Sequence, residues 1–197
     1  MNFADFNMYH IFTMGFCDGE TFQGACDGVQ HRLYKVEKLV DYLKRLGINT
    51  ILLGPLFSSE SHGYDTTDYY NVDKRLGTNE DFQELVSILH DEGFRVIIDC
   101  VFNHVGRAFF AFQDLQANRE NSRYKDWFLE VNFFNDNSYN DGFSYADWAG
   151  CNNLVKLNLF NPEVKTYLKE VALFWFNQFG IDGLRMDAAN VMSLEFL

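Results

Sequence analysis

Four short apolar runs recur along the chain, and three helical stripes lie between them. Tyr9-His10-Ile11-Phe12-Thr13-Met14-Gly15-Phe16 reads as a buried strand. Asn49-Thr50-Ile51-Leu52-Leu53 is a second, closed by Gly54-Pro55, and Phe94-Arg95-Val96-Ile97-Ile98-Asp99 is a third. Ile181 to Met186 is a fourth. Leu33, Val36, Leu39, Val40, Leu43 and Leu46 share one face of a helix that Gly47 stops. Phe82, Leu85, Val86 and Leu89 repeat the pattern behind Thr78, which has Asp81 three residues on, the spacing of an acidic N-terminal cap. Asn161-Pro162-Glu163 opens a third helix, with proline in the first turn, that runs to about Phe179 and ends at Gly180.

Strands alternating with helices imply a parallel sheet joined by right-handed crossovers. Residues 105–160 break the rhythm. They are rich in Asn, Asp, Phe, Tyr and Trp without a steady period, and a connection of this length is functional or a small subdomain. Its dense aromatics argue against a disordered linker. The expected division is residues 1–104 for three strands and their helices, 105–160 for an excursion over the active-site face, and 161–197 for a third helix, a fourth strand and the start of a fourth helix.

The composition removes alternatives. Hydrophobic residues make up 47% of the 197 positions, the level of a packed globular protein. A net charge of -12 disfavours nucleic-acid backbones and anionic membranes, so neither partner is expected. Cys17, Cys26, Cys100 and Cys151 have neither zinc-site nor CxxC spacing, and Cys100 reads as a buried thiol inside the third strand. The first residues lack a basic, apolar leader pattern, and no transmembrane run is seen, which predicts a cytoplasmic chain.

Candidate chemistry gathers at strand ends. Residues two apart on a strand face the same side, so Arg185 and Asp187 project together from the fourth strand. A guanidinium beside a carboxylate favours its ionised form, which suits a nucleophile, although a plain ion pair at a sheet end has the same local pattern. Asp99-Cys100-Val101-Phe102-Asn103-His104 ends the third strand with groups able to orient Arg185 or bind hydroxyls. After the second strand comes a loop holding His62-Gly63-Tyr64-Asp65-Thr66-Thr67-Asp68, where a tyrosine ring at a cleft floor would offer an apolar face to a sugar. A calcium-loop reading of residues 136–142 fails because Asp141 stands where the loop needs glycine.

Taken together, Gly54-Pro55-Leu56-Phe57 with His62 to Tyr70, Asp99 to His104, and Gly183-Leu184-Arg185-Met186-Asp187 resemble the α-amylase superfamily of retaining glycoside hydrolases. The resemblance covers the chain from Tyr9 to Asp187. It implies an α/β fold, the N-terminal half (about four βα units) of a (β/α)8 barrel, with residues 105–160 as the inserted domain B. It implies Asp187 as catalytic nucleophile supported by Arg185, with Tyr64, Asp65, Asp99 and His104 binding substrate, an α-glucan or maltooligosaccharide. No cofactor is implied, except that Asn103 falls where many members place a calcium ligand and several branches place none. Leu154-Val155-Lys156-Leu157-Asn158 and Asp187-Ala188-Ala189-Asn190 are similar to the neopullulanase and cyclomaltodextrinase branch, from which Val155 and Val191 depart, standing where the branch has proline and glutamate.

Retaining hydrolysis needs a second carboxyl about 5 Å from the nucleophile. The family carries that acid on a fifth strand, and Glu195 is expected on a helix, away from the role. The chain is therefore expected to be a fragment, inactive alone, with open barrel edges prone to self-association. The rival reading is a non-catalytic, amylase-like protein that binds sugar or a partner.

Overall fold

The computed structural model describes residues 5–197. Met1 to Ala4, on which the leader reading partly rests, lie outside them. The first strand, β1 (Met8–Ile11), is half the expected length. The chain turns after it into one helical turn, α1 (Thr13–Phe16), that buries Thr13 and Met14. The Thr13 hydroxyl reaches the Ile11 and Gly54 carbonyls, which holds this turn. Length and apolarity alone do not separate a strand from a strand followed by a buried helical turn. The first helical stripe is likewise split into α2 (Tyr34–Glu37) and α3 (Val40–Arg45), with Val36 and Leu43 buried on either side of the break.

β2 (Thr50–Leu53) is fully buried. The segment after it, expected as a loop, forms an antiparallel hairpin of β3 (Phe57–Ser59) and β4 (Thr66–Val72). Its pairing carries register shifts, so no clean alternation marked it in the sequence. An ion pair with both side chains fully buried supports it, Arg75 Nη2 to Asp73 Oδ2 at 2.7 Å. α4 (Asn79–Asp91) follows with the expected reciprocal cap: Thr78 Oγ1 accepts from the Asp81 amide at 3.2 Å and Asp81 Oδ2 accepts from the Thr78 amide at 2.7 Å. β5 (Arg95–Cys100) is the third strand, and Cys100 is buried within it, its thiol pushed well above the usual range by burial.

The excursion opens with β6 (His104–Val105) and α5 (Phe110–Asn118), and it closes with β7 (Asp147–Trp148) and β8 (Cys151–Lys156). The three strands form an antiparallel sheet in the order β6-β8-β7. Aromatic rings make its core, with Phe112 4.9 Å from Tyr145 and 5.3 Å from Phe128 between centroids. At its root the Gly106 amide donates to the Thr66 carbonyl at 2.8 Å. A Cβ on Gly106 would stand 2.5 Å from the Asp65 carbonyl oxygen, so only glycine lets these two backbones meet.

α6 (Pro162–Phe179) starts and stops as expected. Asn161 accepts from the Glu163 amide at 2.8 Å, and Gly180 ends the helix in the left-handed region at φ 68°. Trp175 of this helix is fully buried and donates to the Tyr69 carbonyl of β4 at 2.7 Å. β9 (Gly183–Met186) completes a parallel sheet in the order β1-β2-β5-β9. Beyond it only a short 3-10 turn, Ala189–Val191, forms among residues 188–197, so the expected fourth helix does not start there. No helix among the described residues is long and apolar enough to cross a membrane.

Candidate active site

Strand register builds the site. Where β5 meets β9, Ile97 lies opposite Gly183 and Asp99 opposite Arg185. Alternate residues share a face, so Asp99, Arg185 and Asp187 rise on one side of the sheet at its C-terminal end. Arg185 Nη1 donates to both Asp99 carboxylate oxygens, at 2.8 and 2.9 Å, and to Asp187 Oδ1 at 2.8 Å. The Asp99 side chain is fully buried, whereas Asp187 is 18% and Arg185 43% exposed, so the cluster opens outward from Asp99. The Asp187 amide donates to the Cys100 carbonyl at 3.0 Å. Ala188 then takes a φ of 53°, a costly backbone for alanine, directly after the candidate nucleophile.

Electrostatics follow the same gradient. Burial pushes the Asp99 carboxyl above the ordinary aspartate range, against the pull of Arg185. Burial also works against the Arg185 charge, yet its hydrogen bond to Asp99 and the charges of Asp99 and Asp187 hold its pKa above the usual value. Tyr64 Oη sits 3.5 Å from Asp99 Oδ2, and burial with the charges of Asp99 and Asp187 raises its phenol.

His104, the first residue of β6, is buried next to the cluster. Its Nδ1 lies 3.2 Å from Asn103 Nδ2, and burial lowers its pKa below that of a free histidine while the Asp187 charge acts the other way. Asp65 does not join the cluster by a hydrogen bond: its carboxylate accepts from the Ser61 amide at 3.1 Å and the Ser61 hydroxyl at 2.5 Å, bracing the loop that carries Tyr64. Asn103 is buried and lines a hollow with Leu129, Lys156, Leu157 and Leu159. Among the described residues no cluster of three or more His, Cys, Asp or Glu suits a metal. Glu195 pairs with Lys165, which lowers its pKa and disfavours a proton-donating role.

Two neighbours were not singled out in the sequence. Phe12, just past β1, stacks on Tyr64 with centroids 6.5 Å apart and planes 10° apart. Trp148, in the excursion, stacks on His104 at 5.8 Å and 18°. Phe12 follows a strand end and Trp148 precedes an Ala-Gly turn, the positional signals that were available.

Comparison with known proteins decides the family. The chain matches the family described as "Alpha amylase, catalytic domain" over residues 10–195. The chain belongs to that family. As a member of the alpha-amylase catalytic-domain family it is 47% identical to the intracellular maltogenic amylase of Bacillus subtilis over 163 residues, covering 82% of this chain and 26% of that protein. It is 46% identical to the cyclomaltodextrinase of Thermoanaerobacter pseudethanolicus, covering 80% of this chain and 27% of that one. In structure it superposes on the cyclic alpha-maltosyl-(1→6)-maltose hydrolase of Arthrobacter globiformis with a TM-score of 0.82 at 31% identity, covering 98% of this chain and 46% of the other. The chain therefore spans about a quarter of the length of the curated relatives it matches. Within the family's (β/α)8 fold, the four parallel strands are the first half of the barrel, and β9 carries the edge at which a closed barrel would continue.

Proposed function

We propose that this chain is the nucleophile-bearing half of a retaining glycoside hydrolase acting on α-glucans or maltooligosaccharides. The observation that carries the reading is the single Arg185 nitrogen bridging Asp99 and Asp187 at the sheet's C-terminal end. Barrel enzymes keep their chemistry at that end. In this reading an Asp187 oxygen bonds to the anomeric carbon as the glycosidic C–O bond breaks. The leaving oxygen takes a proton from a second carboxyl, and water later releases the sugar. Arg185 keeps the charge on Asp187 aimed at that carbon, and buried Asp99 fixes Arg185. Tyr64 supplies a ring under the sugar, and His104 a hydrogen bond to one of its hydroxyls. Asp65 contributes by holding the Tyr64 loop. The names of the relatives, a maltogenic amylase and cyclomaltodextrinases, support the substrate class, and the name of the Bacillus subtilis relative supports an intracellular setting.

The complete protein carrying this domain is expected to release the α-anomer first from maltotriose, read by proton NMR during early turnover. A first-formed β-anomer contradicts the retaining reading, and no turnover favours the non-catalytic one. The 197-residue chain alone is expected to self-associate through the β1 and β9 edges and to leave maltooligosaccharides intact. Among its described residues, the carboxylates bonded into the cluster are Asp99, which is tied to Arg185, and Asp187 itself.

A further inference from the structure

The excursion lends the cleft a ring. Trp148 lies nearly parallel to His104, with centroids 5.8 Å apart and planes at 18°. His104 is otherwise held at Nδ1 by Asn103, 3.2 Å away. Its Nε2 is buried and makes no hydrogen bond of good geometry among the described residues, although the Tyr64 backbone lies close enough to act on the ring. An unsatisfied buried nitrogen is costly, and a sugar hydroxyl is a group that can satisfy it. The ring needs two restraints for that: one against rotation in its plane, which Asn103 gives, and one against tilting, which the stacked indole gives.

The support for Trp148 is itself built. β7 and β8 are joined by a two-residue turn in which Ala149 and Gly150 both have positive φ, 56° and 81°, the geometry of a tight hairpin. Asp147 Oδ1 accepts from the Gly150 amide at 2.8 Å, and its other oxygen takes the Asn152 side-chain amide. Asn152 Oδ1 accepts from the Ser138 hydroxyl at 2.7 Å, and the Asn152 carbonyl accepts from the Tyr145 hydroxyl at 2.7 Å. The hairpin that carries Trp148 is thereby tied to the aromatic core of the excursion.

We propose that Trp148 is a positioning residue for His104, through which the excursion sets how tightly the cleft holds an α-glucan; this rests on the cleft being the sugar site. Trp148 acts through the imidazole.

The test uses the complete protein carrying this domain, labelled with carbon-13 and nitrogen-15 histidine, with His104 signals assigned by His104→Gln and maltose as the probe. In the unsubstituted protein the His104 ring protons are expected to carry the ring-current displacement of a stacked indole and to move as maltose is added. Trp148→Leu is expected to abolish the displacement and weaken maltose binding by about three- to tenfold, the range of one aromatic pair. Trp148→Phe keeps a smaller ring and is expected to show part of both losses, which also covers the case in which the leucine variant fails to fold. Unchanged affinity in a folded variant whose His104 signals have lost the displacement overturns the proposal and leaves the sugar site standing. No movement of His104 with maltose in the unsubstituted protein overturns the sugar site and the proposal together.

Discussion

Asp187→Asn is expected to lower maltooligosaccharide turnover by the complete protein by about 10⁴-fold or more, the scale on which loss of a nucleophile is felt. The fall should lie in kcat, because the substitution keeps the shape and leaves the Arg185–Asp99 bonds of 2.8 and 2.9 Å in place. Thermal stability should change little, since the parallel pairing of β5 with β9 does not depend on that carboxylate. Glu195→Gln is the matched control. Its carboxylate pairs with Lys165 on the surface, so turnover should stay within about twofold, as for other exposed pairs. A variant with Asp187→Asn that keeps a tenth or more of the activity would remove Asp187 from the role.

Arg75→Met is expected to carry the largest stability loss. Both partners of the Arg75–Asp73 pair are fully buried. Arg75 also donates to the Glu20 carbonyl at 2.9 Å, to the Ser61 carbonyl and to the Ser59 hydroxyl at 2.8 Å. Removing it leaves the Asp73 charge buried with only part of its hydrogen bonds, a loss of about 3–5 kcal/mol. For a chain of this size each kcal/mol lowers Tm by roughly 2–4 °C, so a fall of roughly ten degrees is expected by circular dichroism. Arg75→Met combined with Asp73→Leu should recover part of it, because the stranded charge is gone. The same network holds Ser59 and Ser61 on the loop leading to Tyr64, so the single variant should also weaken sugar binding. A Tm within about two degrees of the parent's would show that the network contributes little.

The parallel core was legible because its signals are local. Thr78 with Asp81, Asn161 with Pro162, and Gly180 each carry their own chemistry, and the elements they bound formed where expected. Arg185 and Asp187 were legible as a pair because strand alternation needs no tertiary knowledge. Their meeting with Asp99 needed the register of β5 against β9, which spacing does not encode. The β3–β4 hairpin was missed because its irregular pairing leaves no clean alternation. Residues 188–197 were expected to begin a helix, yet they lie as a short turn, with Glu195 drawn to Lys165 of α6. Trp148 and Phe12 became visible only through contacts made across long separations, at His104 and Tyr64.

The central claim is that Asp187 becomes bonded to the sugar. Its most direct measurement is peptide mapping by mass spectrometry of the complete protein after reaction with a ring-fluorinated α-maltosyl fluoride. Fluoride leaves without a proton donor, and the ring fluorine slows breakdown of the intermediate. The predicted result is one maltosyl adduct on the peptide holding Asp187, absent in the Asp187→Asn variant. An adduct on another carboxylate, or none while maltooligosaccharide turnover proceeds, would contradict the account.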